Sequence, residues 1–316
     1  MIISTILATS FLLSSADPPL VADKPIAVPG AAGHFDFMNV DVKNRLVFAC
    51  HPGNKSLAVV DMDSGKTTDV DCKVAVNGMA ADTDGHRAFA AGPGNTLVCI
   101  DTKTWQVTAT LPLSGPGDCV QYDAKRRVVY VDNDDGTNLW VVNAATMKLQ
   151  STIAIHEAPE YMEYDRTRDK IFQAIKSTSE VQVIDMKTLK VTDSWKLGEL
   201  TGPHGLCLDR KAGRIYVAGS NGKMVTLDAD SGKILNTFDV TKGSDQIAMD
   251  IKMKRIYLPA GGKLQVISVE GDTPKVLAEL PISTDCKRVT VDTKNHDVWI
   301  AFQDKTNSFF QKFAAK

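Results

Sequence analysis

One motif recurs along the whole 316-residue chain at an almost constant spacing, and it restricts the fold more than any other feature. Seven segments run from an apolar alternating stretch into an aspartate: FDFMNVD to Asp41, VNGMAAD to Asp82, GDCVQYD to Asp123, PEYMEYD to Asp165, PHGLCLD to Asp209, SDQIAMD to Asp250 and CKRVTVD to Asp292. The intervals are 41, 41, 42, 44, 41 and 42 residues. A period of this size marks an array or a propeller, in which each unit buries its apolar face only by stacking on its neighbours.

The order within each unit is constant. After the aspartate come turn residues, then a basic residue and a β-rich run: RLVFAC, RAFAA, RVVYVD, KIFQAI, RIYVAG, RIYLPA and, more weakly, DVWIAF. A third strand follows, as in LAVVD, LVCID and VQVID, and a fourth, as in KVTDSWKL and KILNTFDV. Four short strands per unit, seven units and no helical periodicity predict an all-β, seven-bladed β-propeller with four-stranded blades. The last unit has only three strands, at 287–292, 298–302 and 308–313, while an orphan strand, KPIAVPG at 24–30, precedes the first. The N-terminal strand is therefore expected to complete the last blade, hiding two sheet edges at once. The recurring aspartates, including Asp61, Asp101, Asp185 and Asp228 after third strands, read as structural, because a short carboxylate bonds the backbone of the following turn.

Residues 1–16, MIISTILATSFLLSSA, carry no charge and end in small side chains. The run is shorter than the roughly 20 residues a membrane span needs. It reads as a cleavable export signal, though without the usual leading Lys or Arg. That leaves residues 17–316 as one propeller domain, expected to be a periplasmic or secreted monomer. A net charge of −2, from 36 basic and 38 acidic residues, gives no basic excess for nucleic acid. No later segment is apolar enough to span a bilayer. The six cysteines form no Cys-x-x-Cys pair, and they allow 15 complete pairings among which spacing does not choose. Cys99 and Cys207 sit in apolar runs and read as packed thiols. No Gly-x-Ser-x-Gly, His-Glu-x-x-His, phosphate-loop or haem-attachment motif occurs, so serine hydrolase, zincin and nucleotide hydrolase readings lack support.

The repeats resemble the YVTN-type β-propeller family, whose pattern is most complete in GPHGLCLDRKAGRIYVAG at 202–219, with looser copies in PEYMEYD and RVVYVDN. The resemblance covers about residues 24–314 and implies an exported or surface propeller. Related seven-bladed propellers include lactonases, lyases and binding modules, so the resemblance leaves activity open.

The first strand of each blade lines a propeller's central channel, and the residue five before each repeated aspartate falls at one mouth of it. Around the ring that slot reads Asp36, Asn77, Asp118, Glu160, His204, Asp245 and Lys287. The slots two and four residues later are almost wholly apolar, as packed strands require, so the polar slot stands outside that packing. Four carboxylates facing one mouth repel one another unless a cation or base intervenes. Lys287 supplies one positive charge. Glu160, His204 and Asp245 lie on consecutive blades and suit a divalent metal ion with several waters. His34 and His156 enter first strands, and His51 follows a second strand, all on the same face. Cys50, His51, Cys286 and His34 gather where the ring closes, as a copper or zinc site, a Cys50–Cys286 disulfide or free thiols. Phe35, Phe37 and Tyr161 provide either a stacking wall or packing between blades.

Two functions follow. The first is a binding or scaffold propeller that holds a small molecule or an exported protein partner at this mouth. The second is a metal-dependent hydrolase or lyase acting on a lactone or sugar-like substrate, with Glu160 or Asp245 as base and His204 as ligand or proton carrier. The lack of a catalytic motif favours the first.

Overall fold

The computed structural model describes residues 19–316, so the expected export signal lies outside the described residues. Seven antiparallel sheets stand in a ring, each meandering outward from the central axis. Apart from one 3-10 turn at Pro52–Asn54, the regular elements among the described residues are all strands. In blade 4 the four strands are Pro159–Asp165, Lys170–Ile175, Glu180–Asp185 and Lys190–Lys196. The other blades repeat this order, which makes the chain a seven-bladed β-propeller.

The sequence pattern accounts for the radial arrangement. Second and third strands are apolar runs buried on both faces, as in Val128–Asn133. Fourth strands alternate polar and apolar residues and alternate exposed and half-buried along Gln106–Pro112. The core therefore lies between blades, not within any one of them. Between blades 3 and 4, for example, Tyr130, Leu139 and Val141 pack against Met162, Ile171 and Ile184. Each interface removes hundreds of Å² of apolar surface from water, at about 25 cal/mol per Å².

The repeated aspartates are structural. Asp123 accepts from the backbone N–H of Lys125 and Arg126 in the turn it begins. It also pairs with Arg166 of the next blade at 2.9 Å. Asp209 likewise caps its own turn and meets Lys254 of blade 6, Asp250 meets His296 of blade 7, and Asp292 meets Arg45 of blade 1. One short carboxylate thus closes a turn and fastens two blades. The third-strand aspartates Asp61, Asp101, Asp185 and Asp228 bond the backbone two and three residues on.

Ring closure uses more of the N-terminus than 24–30. The outer strand of blade 7, Ser308–Ala315, pairs with two short strands, Leu20–Ala22 and Ile26–Val28. The break between them falls at Pro25, which has no N–H to donate. The N–H of Asp23 still reaches the Lys312 carbonyl at 2.8 Å.

All six cysteines are free and buried. Cys50 and Cys286 do not form a disulfide: Cys50 packs with Cys72 between blades 1 and 2, whereas Cys286 belongs to the core of blades 6 and 7. Burial pushes the Cys50 thiol well up and that of Cys72 to about 12, so both stay protonated.

Candidate functional site

Two chambers lie along the axis, separated by a floor of three side chains. Phe37 of blade 1 and Tyr161 of blade 4 meet edge-on at 5.4 Å between ring centroids. Gln246 of blade 6 reaches across to blade 1. Its Oε1 accepts from the Met38 N–H at 2.9 Å, and its Nε2 donates to the Met38 carbonyl at 2.8 Å. The amide thus supplies one donor and one acceptor, as a neighbouring strand would.

Above the floor is a polar cavity of about 220 Å³, lined by Asp36, Phe37, Asn77, Asp118, Asp134, Glu160, His204, Asp245 and Arg288. Six of the seven slot residues converge here. In blades 3, 4 and 5 the slot falls where strand pairing slips, between Gly117 and Val120, Pro159 and Met162, and Pro203 and Leu206. Such a bulge re-aims side chains, which explains how the slot reaches the mouth while residues two and four later, of the same parity, pack away from it.

The seventh slot differs. Lys287 is half exposed, 3.9 Å from Asp245, and does not line the cavity. Its neighbour Arg288 takes the position, with Nη2 3.3 Å from Asp36 and 3.1 Å from Asp245. Two carboxylates, from blades 1 and 6, thus hold the guanidinium in the mouth just before the strand that begins at Val289. Two further residues escaped the sequence reading, Asp134 and Lys176, each just beyond a second strand. His51, the histidine singled out beside the second strand of blade 1, is the last residue of that strand, one position short of the equivalent of Asp134 and Lys176.

The electrostatics are uneven around the ring. Glu160 accepts an ion pair from Lys176 at 2.5 Å and lies 3.5 Å from His204 Nε2. His204 Nδ1 faces the Gly202 carbonyl at 2.8 Å, which directs Nε2 toward the mouth. Asp36 and Asp245 share Arg288. Asp118 has no ion pair among the described residues; its one hydrogen bond comes from Asn77 Nδ2 at 3.3 Å. Gly78 permits this contact, because a Cβ there would stand 1.8 Å from the Asp118 carbonyl. Burial raises the carboxyls of Asp36, Asp134 and Glu160, and it raises Asp118 and the underlying Asp132 well above the carboxylate range.

Glu160 and His204 stand together while Asp245 is turned to Arg288, and among the described residues no three His, Cys, Asp or Glu converge enough to hold a metal ion. His51 is fully buried, bonded to the Gly33 carbonyl and packed on Phe35, so it pegs the ring closure. His156 pairs with Glu180 and lies off the mouth, and His34 is exposed on the entering loop near Asp36. The Cys50, His51, Cys286 and His34 group is dispersed. Phe35 packs on His51 and Phe310, while Phe37 and Tyr161 form the floor.

Below the floor is a second chamber of about 240 Å³, where Glu163 and Arg210 pair at 2.9 Å beside Gln121, Thr290 and Cys207.

Several solved structures share the architecture. Hydrazine synthase of Kuenenia stuttgartiensis is 13% identical with a TM-score of 0.78, covering 90% of this chain and 96% of that one. The WD40 repeats of RRP9 are 10% identical with a TM-score of 0.80, covering 93% and 100%. U3-55K is 10% identical with a TM-score of 0.80, covering 91% and 97%. At these identities the likeness is one of fold. No curated protein sequence matches significantly. A family model does: that of the cytochrome D1 heme domain matches residues 42–211, more than half of the 316 residues, and the chain belongs to that family.

Proposed function

We propose that this chain is an exported propeller that binds a small polar ligand in the upper mouth of its channel. The observation that carries this reading is the convergence of six slot residues on one closed-floored cavity of about 220 Å³. Packing needs none of their charges, and a water-filled mouth would be served by Ser or Thr. The uncharged N-terminal run and the YVTN-type repeat at 202–219 support export.

The family implies a haem, and the residues present do not fit one. A tetrapyrrole exceeds a drug-sized ligand, for which pockets run about 300–1,000 Å³. The chambers hold about 220 and 240 Å³. The upper one has a single aromatic wall, Phe37, and its acids would oppose the carboxylates of a haem. The 3.5 Å Glu160–His204 contact is the one observation that favours a hydrolase or lyase. Lys176 at 2.5 Å and His204 at 3.5 Å both meet the same Glu160 oxygen, so that oxygen is already engaged by the protein's own groups.

Thermal unfolding of residues 17–316 against small cations, anions and neutral polyols tests the binding reading. At least one class is expected to raise Tm, with most of the shift lost in a Glu160→Ala, His204→Ala double variant. No shift from any class, or an equal shift in the variant, overturns it. Export is tested by fractionating expressing cells: a chain beginning near residue 17 outside the cytoplasm supports it, and an uncut chain in the cytoplasm does not.

A further inference from the structure

Among the side chains lining the mouth, Asn77 Oδ1 at blade 2 and Arg288 Nε at blade 7 lack a hydrogen-bond partner, and Asp118, an acid without an ion pair among the described residues, stands beside the first. Of the mouth acids, Glu160 has Lys176, and Asp36 and Asp245 have Arg288. Asp118 is only 7% exposed; the strongest charges acting on it are those of the acids Asp36, Asp132, Glu160 and Asp134, with Arg288 acting more weakly while it pairs with Asp36 and Asp245. Beside it, Asn77 is 8% exposed and lines the cavity. Its Nδ2 is spent on Asp118, and its Oδ1 has no hydrogen-bond partner. A buried acceptor left without a donor costs about 1–3 kcal/mol, and native proteins keep few of them. The amide turns its Nδ2 toward Asp118 Oδ1, which leaves its own oxygen as the acceptor without a donor. A neutral amide oxygen and an unpaired carboxylate thus meet at one spot, and both require a donor.

Resting on the reading that the mouth binds a ligand, we propose that the ligand is a small organic cation bearing several N–H groups, an alkylammonium or guanidinium, held by Asn77 Oδ1 and Asp118. An anion is disfavoured because Arg288 and Lys176 are already paired with carboxylates, and the unpartnered donor Arg288 Nε belongs to a guanidinium that Asp36 and Asp245 share. A directly ligated metal ion is disfavoured because no three ligating side chains of the described residues converge. An N–H cation does not need that convergence, since each N–H reaches an acceptor of its own at about 2.7–3.2 Å. The Asp134 carboxylate, on the same wall, adds field without occupying the spot. Phe37 gives the aliphatic part an apolar surface.

The test uses residues 17–316 with defined probes: 1,4-diaminobutane and methylguanidinium as cations, butane-1,4-diol as the neutral isostere, acetate as an anion and calcium chloride as a metal. Isothermal titration is expected to show a cation bound at least tenfold more tightly than the diol, with Tm raised by about 2 °C or more at saturation. Asp118→Asn and Asn77→Ala are each expected to weaken the cation at least tenfold. Folding is checked separately by the Tm without ligand, which Asp118→Asn should raise at neutral pH by removing an unpaired buried charge. Cations that bind no better than the diol, or equally well to Asp118→Asn, overturn the proposal. So does calcium binding without cation binding. Binding of acetate or diol, lost in the Glu160→Ala, His204→Ala variant, overturns the cation while leaving the ligand-binding mouth intact. Silence from every class removes both.

Discussion

Asp118 shows what a single side chain contributes at the residue scale. Its environment is buried and acidic, so its carboxyl holds a proton well above the ordinary value of 3.8. Between that value and the raised one, the folded chain keeps a proton that the unfolded chain has lost. Stability from this group is therefore complete below 3.8 and falls as pH rises through the window. Asp118→Asn should unfold at nearly the wild-type temperature near pH 4 and at a higher temperature near pH 8. A constant gap across a thermal-unfolding series at those pH values would contradict this. The cysteines give a second expectation at this scale. All six are buried thiols, so a thiol reagent should find none in the folded protein and six after denaturation. A native protein that yields fewer than six when denatured without reductant would contain a disulfide.

At the scale of elements, strands and turns were legible because their physics is local. Alternation, β-branched runs and Asx turns each need only a few neighbouring residues. The slot five before each aspartate was legible for a related reason, since the repeat returns the same backbone position seven times. It misled only in blade 7, where Arg288 and not Lys287 faces the mouth and is held there by Asp36 and Asp245. The closing strand was seen in part, because Pro25 interrupts the pairing that Leu20–Ala22 and Ile26–Val28 share. The channel floor was not legible. Gln246 and Met38 lie 208 positions apart, and no local pattern signals that an amide will stand in for a strand. Gln246→Ala leaves a buried N–H and a buried carbonyl unpaired and should cost about 2–4 kcal/mol. Urea unfolding with an unchanged slope would measure it. A loss under about 0.5 kcal/mol would mean that water replaces the amide without penalty.

For the whole molecule, the two N-terminal strands supply the outer edge of blade 7, which otherwise meets blade 1 through its inner strands and the Arg45–Asp292 pair. Deleting residues 19–28 exposes the Ser308–Ala315 edge, whose Phe309 and Phe310 lie beside the lost strands. Exposed edges recruit other edges. The shortened chain should therefore unfold at a lower temperature and elute as oligomers in size-exclusion chromatography. A stable monomer would show that the third strand of blade 7 closes the ring unaided.

The same closure sets an order of events during folding. Leu20 pairs with Ala315, so the last blade cannot form until nearly the entire chain has been synthesised. Contacts this distant in sequence are the slow ones, because the chain must lose its loop entropy before they repay it. Blades 2 to 5 can stack early, placing Asn77, Asp118, Glu160 and His204 in a row. Arg288 arrives only when blade 7 seats beside blade 1, so Asp36 and Asp245 wait for their shared counter-charge until the final step. In refolding experiments, competence of the mouth should appear with the slowest phase and serve as a clock for completion of the ring.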